Sequence, residues 1–231
     1  MTGDLRVASA LLRKQSAEYG AGRSVIELIA TMVQSAPGPD GRYRTHVGED
    51  TIHRYLEHAR SANSLLLLNI QPGRAPFLDE VARYRRWLLN PDVGVALDPE
   101  WAVPEGVVPG AKFGSTTGAE LDGVAAYLAE LVATSGLPDK VMVYHQVAAS
   151  VVRDEEKLRP HPGVSMIKVA DGIGGPALKR ATWKQVMARK PAHVHAGMKL
   201  FYEEDTRHGQ PLLSPAEVMA LAPRPKYVVY E

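Results

Sequence analysis

A chain of 231 residues, 45% hydrophobic and 23% charged, is long enough for one large core and too apolar for a disordered segment. Its 27 Lys plus Arg against 26 Asp plus Glu leave a formal charge of +1, so bulk electrostatics offers nothing to nucleic acid or an acidic membrane. Cysteine is absent, which excludes disulfide scaffolds, thiolate zinc sites and cysteine nucleophiles.

The predicted elements alternate along the chain. Residues 4–19 place Leu5, Ala8, Leu11 and Leu12 at helical spacing, and Gly20 and Gly22 stop the run. Ser24 to Val33 is β-branched and apolar and leads into the turn-rich SAPGPDG. Glu49 to Ala62 reads as a helix with Ile52, Tyr55, Leu56 and Ala59 on one face. The short apolar run SLLLLNIQPG ends at Pro72 and Gly73, a helix covers Pro76 to Leu89, and DVGVAL is a strand stopped by Asp98 and Pro99.

A Gly- and Pro-rich loop over 102–116 follows. Thr117-Gly-Ala-Glu120 then reads as a capping box opening a helix to about Thr134. Lys140 to Gln146, Val164 to Ala170 and Met198 to Glu203 are further strands, with a helix over Ala177 to Arg189 between the last two. Ser214-Pro-Ala-Glu217 is a second capping box with Pro at its first helical position, and Tyr227 to Tyr230 is the last strand.

This rhythm predicts parallel strands in a single α/β domain over 1–231. The one dense glycine cluster, Asp171-Gly-Ile-Gly-Gly-Pro, lacks the spacing of a nucleotide fingerprint, so an open doubly wound sheet is disfavoured. About seven strands and a leading helix predict a parallel (β/α) TIM-like barrel short of one strand. Poorly closed edges then invite a homodimer, or a plug made by the N-terminal helix. No apolar run approaches the roughly 20 residues of a membrane span, and MTGDLRVASALLRKQ shows no apolar stretch ahead of a cleavage site. The expected setting is cytoplasmic, without a membrane partner.

In parallel α/β folds chemistry gathers at the carboxyl ends of the strands. Those ends carry Asn69 and Gln71, Asp98 and Glu100, His145 and Gln146, Lys168 and Asp171, and Glu203 to Asp205. Alternation puts Lys199, Phe201, Glu203 and Asp205 on one face, toward the lumen, and places Asn69, Gln71 and His145 inward too. Asp98, His145, Lys168 and Glu203 are the candidate catalytic residues. Glu27, Gln71, Arg74, Trp101 and Lys199 are the candidate substrate-binding residues, with Arg74 offering its fork to an anionic group and Trp101 a platform to a sugar ring. Each also has a structural explanation: Glu27 as a capping acid, Asp98 as a turn starter, Lys168 as half of a buried ion pair, Arg74 as a solvated loop residue. Glu27, Asp98, His145 and Glu203 would be donors for a divalent ion if they converged. No compact ligand pair such as HExxH stands at a strand end, so neither metal nor cofactor is expected.

The segments LLLNIQPGR (66–74), VGVALDPEW (93–101) and KLFYEEDT (199–206) resemble a family of actinobacterial exported cell-envelope proteins with a glycoside-hydrolase-like, TIM-type barrel. The resemblance runs from Gly3 to Glu231 and implies relatives with a signal peptide and a first strand that this chain lacks.

Two enzyme classes and one binding class follow. A hydrolase acting on a glycosidic bond needs one protonated and one ionised carboxyl, the pair being Asp98 and Glu203. An isomerase, epimerase or Schiff-base lyase would use Lys168 and His145. A non-catalytic barrel would bind a glycan or peptide. The expected partner is a small-molecule, glycan or peptide substrate, with no nucleic acid.

Overall fold

The computed structural model describes residues 5–20 and 22–231; the predicted start of the first helix at Asp4, and Gly3, lie outside them. In chain order the elements are α1 (Leu5–Glu18), β1 (Val25–Val33), β2 (Arg44–His46), α2 (Glu49–Ser61), β3 (Leu65–Ile70), α3 (Phe77–Arg83), α4 (Arg85–Leu88) and β4 (Val93–Leu97). A 3-10 turn over Pro99–Trp101 precedes β5 (Thr116–Thr117), α5 (Gly118–Ser135), β6 (Lys140–Gln146) and β7 (Val152–Arg153). Then come β8 (Val164–Ala170), α6 (Pro176–Met187), β9 (His195–Leu200), α7 (Pro215–Met219) and β10 (Tyr227–Tyr230).

Local chemistry accounts for the helices. In α2, Glu49 and Asp50 stand at the amino end and His58 and Arg60 at the carboxyl end, complementing the dipole, while Ile52, Leu56 and Ala59 bury one face. In α5, Thr117 Oγ1 accepts from Glu120 N at 3.2 Å, and Gly136 closes the helix in the left-handed region at φ 62°. The expected box there is half-made, because the Glu120 carboxylate turns to Phe77 N and Thr116 Oγ1 instead. At Ser214 and Glu217 both halves are present.

The main sheet has eight strands in the order β10-β9-β8-β6-β4-β3-β1-β2. Seven are parallel in sequence order, and β2 is antiparallel to β1 through Thr31–His46, Met32–Thr45 and Val33–Arg44. β5 and β7 form a separate parallel pair. The sheet is strongly curled. Six strand steps separate β10 from β1, roughly 29 Å in a flat sheet, yet Tyr227 OH donates to Glu27 Oε1 at 2.6 Å.

The expected parallel TIM-like barrel of about seven strands is therefore incorrect. The fold is α/β, but its sheet is mixed and eight-stranded, an open half-barrel whose β1 and β10 share no backbone ladder. Two features keep it open. β2 occupies the outer edge of β1 at its carboxyl end, and α1 lies along the seam, reaching from α2 (Ser9 to His58) to β10 (Gln15 Nε2 to Tyr230 OH, 2.9 Å). The helices also fail to alternate one per strand, since α3 and α4 both lie between β3 and β4.

The convex face packs Ile26, Leu28, Leu66, Leu68, Val95 and Tyr144 under α2, α3 and α5, and Met198 and Leu200 under α6 and α7, with Trp183 of α6 in the same cluster. The concave face holds a smaller cluster of Leu67, Ala96, Val143, Ile167 and Val169. Curling crowds that face, so small residues recur there. A Cβ on Gly94 would lie 2.4 Å from Val141 O, closer than any side chain tolerates.

Candidate active site

Residue parity builds the site. In β1, Ile26, Leu28 and Ala30 join the convex core, so Glu27 faces inward. By the same alternation β3 delivers Asn69, β4 leads to Asp98, β6 delivers His145, β8 leads to Asp171, and β9 delivers Lys199. β10 delivers Tyr227 and, one residue past its end, Glu231. These groups converge on the concave side toward the carboxyl ends of the strands.

His145 is the hub. It is fully buried, with Nε2 3.3 Å from Glu27 Oε2 and Nδ1 3.1 Å from Asp171 Oδ2. These are ion-pair distances without the alignment of a good hydrogen bond. Burial opposes the imidazolium most strongly, but the Glu27 and Asp171 carboxylates outweigh it and hold His145 well above its ordinary 6.5. Burial likewise acts to raise Glu27. The neighbouring charge of His145, the hydrogen bond from Tyr227, and Lys199 reverse it and hold the carboxyl at about 2. Lys199 Nζ lies 3.3 Å from Asp171 Oδ2 and 2.7 Å from Glu231 Oε2, and its ammonium is stabilised despite burial.

Asp98 and Glu100 form the other half. Asp98 Oδ1 accepts from Asn69 Nδ2 at 3.1 Å and Oδ2 from Gln71 Nε2 at 3.2 Å. The Asn69 amide also reaches Glu27 Oε2 at 3.5 Å, so one nitrogen links two carboxyl groups. Burial raises Asp98, with His145 and Lys199 pulling back. Glu100 is pushed well above the ordinary carboxyl range by burial, then by the negative charges of Asp98 and Asp171. Both carboxyls are therefore raised, Glu100 further than Asp98. Three acceptors here, Asn69 Oδ1, Glu100 Oε2 and Asp171 Oδ1, are buried without a protein partner. Glu100 also lines a cavity of about 420 Å³ with Trp101, Gly110, Lys112 and Phe113.

The expected residues separate into two groups. Asp98, His145, Glu27, Gln71 and Lys199 are brought together, and Trp101 stands at the cavity beside them. Lys168 is not there. In β8 it shares a face with Met166 and Ala170 and is paired in register with Tyr144, so it projects behind the sheet. There its Nζ binds Glu155 Oε2 at 2.6 Å, and Tyr144 OH donates to Glu155 Oε1 at 2.6 Å.

Glu203 is also elsewhere. β9 spans His195–Leu200 rather than Met198 to Glu203, so alternation ends before Glu203. Asp205 then accepts from Phe201 N and Gly174 N, both at 2.9 Å, and folds the chain into turns that expose Glu203. The pairing of Asp98 with Glu203 is thereby corrected. Arg74 does not offer its fork to a ligand, because it donates to Val107 O at 3.0 and 3.1 Å and covers the Tyr43 ring at 4.3 Å.

Residues the sequence reading left out of the site are Asn69, Glu100, Asp171, Tyr227 and Glu231. Alternation with Ile167 and Val169 marks Asp171 as inward. Tyr227 and Glu231 had no local signal, since their approach to β1 depends on the curl. Among the described residues no group of three or more His, Cys, Asp or Glu is placed to hold a metal ion, and no helix is long and apolar enough to cross a membrane.

Two expectations arise from this placement. Glu203→Gln leaves the urea midpoint at pH 7 essentially at that of wild type, because an exposed turn residue contributes on the order of 0.5 kcal/mol or less to stability; a large fall would show that the carboxylate is engaged in the fold. The second concerns acid stability. Glu27 lies below its ordinary 4.5 in the folded state, so its contribution is present above that pH and is lost as pH falls through about 2. His145 contributes fully below its ordinary 6.5, and that part fades only as pH rises through the raised folded value. Urea midpoints for wild type should fall between pH 4.5 and 2 more steeply than those of Glu27→Gln. Parallel curves would refute the assignment.

No protein-family profile matches the chain. A search of curated proteins finds no match either, and nothing in these comparisons links the chain to the actinobacterial exported proteins expected from the sequence.

Proposed function

We propose that the protein is a hydrolase that cleaves a glycosidic bond by general acid/base chemistry between Glu100 and Asp98. The observation that carries this reading is the split between two adjacent buried carboxyls. Glu100 is pushed well above the ordinary carboxyl range, with Oε2 partnerless in a residue that lines a cavity, while Asp98, raised less, accepts from two side-chain amides. Such a split is what glycoside cleavage needs. Glu100 gives its proton to the departing oxygen as the carbon–oxygen bond breaks. Asp98 faces the positive charge at the anomeric carbon and takes a proton from the water whose oxygen replaces the leaving group. One water is consumed and two hydroxyl compounds result.

His145 and Glu27 do not move protons in this scheme. They are a buried ion pair that fixes Asn69, and through it Asp98. With Lys168 behind the sheet, a Schiff-base or lysine-dependent isomerase reading loses its nucleophile.

The test is a panel of glycosyl fluorides covering the common hexoses and pentoses in both anomeric forms, run beside peptide p-nitroanilides. Release of fluoride from one sugar configuration is expected, and its loss in Asp98→Asn. Peptide cleavage, or fluoride release that persists in Asp98→Asn, would overturn the proposal.

A further inference from the structure

We propose that the cavity between Trp101 and Phe113 is the leaving-group subsite, and that the substrates are glycosides whose leaving group is a flat apolar ring, an aryl alcohol. This rests on the hydrolase reading above and extends it to substrate class. The argument begins with Glu100, which belongs to both the buried carboxyl cluster and the cavity wall. A general acid must reach the oxygen of the departing group, so that group lies on the acid's side of the broken bond. On that side is the cavity of about 420 Å³, within the usual range for a small-ligand site.

The two sides differ in chemistry. Toward the strand ends the groups are polar: the Gln71 amide on Asp98, the Lys199 ammonium on Asp171, and the partnerless buried acceptors Asn69 Oδ1 and Asp171 Oδ1. Beyond Glu100 the cavity is walled by the rings of Trp101 and Phe113, with Gly110 and Lys112 completing it. Phe113 is 65% exposed, and Trp101 is half-buried with Gly110 against its edge, where a Cβ would stand 3.9 Å from Cζ3. Aromatic faces left uncovered by protein and set around one cavity match a ring that stacks or meets them edge-on.

The wall is also preorganised. The loop from Ala102 to Ser115 is clamped at its base by Gly114 N donating to Glu100 O at 2.6 Å and Ser115 N to Ala102 O at 2.9 Å. A Cβ at Gly114 would fall 2.1 Å from Ala102 O, so only glycine permits the clamp. Arg74, stacked on Tyr43, tethers the far side through Val107 O. A loop held at both ends gives the cavity a fixed shape, which reduces the ordering cost of binding.

The experiment has two arms. In the first, 4-methylumbelliferone, a free aryl alcohol, is titrated calorimetrically into wild type, Phe113→Ala and Trp101→Ala. Both substitutions should weaken binding at least fivefold, and because Phe113 is largely exposed its variant stays folded. Equal affinity in all three proteins, or no binding to wild type, would overturn the subsite.

The second arm compares the aryl glycoside with the glycosyl fluoride of the same sugar. Phe113→Ala should reduce kcat/KM for the aryl glycoside at least tenfold more than for the fluoride, whose leaving group is too small to reach the ring. Equal losses would overturn the leaving-group assignment while the hydrolase reading stands. If neither compound is cleaved by wild type, the hydrolase reading fails and the assignment with it, even where the first arm shows an aryl-binding cavity.

Discussion

Glu100→Gln is expected to lower kcat on an unactivated glycoside by about 10²–10⁴-fold, the scale of general acid assistance. The amide keeps the shape and burial of the side chain but has no acidic proton for the departing oxygen. The deficit should shrink as the leaving group improves, and be smallest for a glycosyl fluoride. Asp98→Asn should be as damaging on every substrate, since it removes the base and not the acid. The pH profile separates them further. Burial and the neighbouring Asp98 charge hold the Glu100 proton well above the ordinary carboxyl range, so the alkaline limb of kcat belongs to Glu100 and should disappear in Glu100→Gln. A variant that keeps that limb, or loses the same factor on fluoride as on alkyl glycoside, would exclude Glu100 as the acid.

The second large effect is on stability. Glu155→Leu should destabilise by about 3–5 kcal/mol, the usual cost of stripping one partner from a buried pair. Lys168 is 1% exposed and Glu155 4%, and without the carboxylate the ammonium has nothing to answer its desolvation. The double variant Lys168→Met, Glu155→Leu should recover most of that loss, because a packed apolar pair of similar volume replaces the ions. Urea unfolding at pH 7 measures both. Lys168→Met should also keep the kcat of wild type per folded molecule, since the residue lies behind the sheet. A large fall in kcat with stability intact would return Lys168 to the chemistry.

Which parts of this were legible in the sequence follows from where the information resides. Strands β1, β3, β4 and β6 announce themselves as β-branched or leucine-rich runs with Gly or Pro on at least one flank. Alternation correctly turned Asn69, His145 and Lys199 inward. In β8 both faces are buried and its two polar residues, Ser165 and Lys168, have opposite parity, so the strand alone does not say which side Lys168 takes. The pairing with Tyr144, set by the neighbouring strand, is what decides its face.

For Glu203, parity holds only while the strand continues, and the Asp205 turn ends β9 before it. Barrel closure was misjudged for a similar reason. Arg44 to His46 is too short and polar to read as a strand, yet it caps the edge of β1 that a closing strand would need. The roles of Tyr227 and Glu155 arise from chain segments meeting across the fold, and no local pattern carries that information.

The hydrogen bond from Tyr227 to Glu27 has a consequence for the order of events in folding. Its partners are separated by 200 residues, so it forms only after the last strand has docked. Until then Glu27 lacks its phenol, and the ion pair with His145 borders an unsealed edge. Secondary structure in the preceding strands can be complete while the catalytic centre is not. Such distant contacts are the slowest to form. In refolding from urea, the burial of Tyr227 should therefore lag behind helix formation, which makes its phenol a report on the final step of assembly.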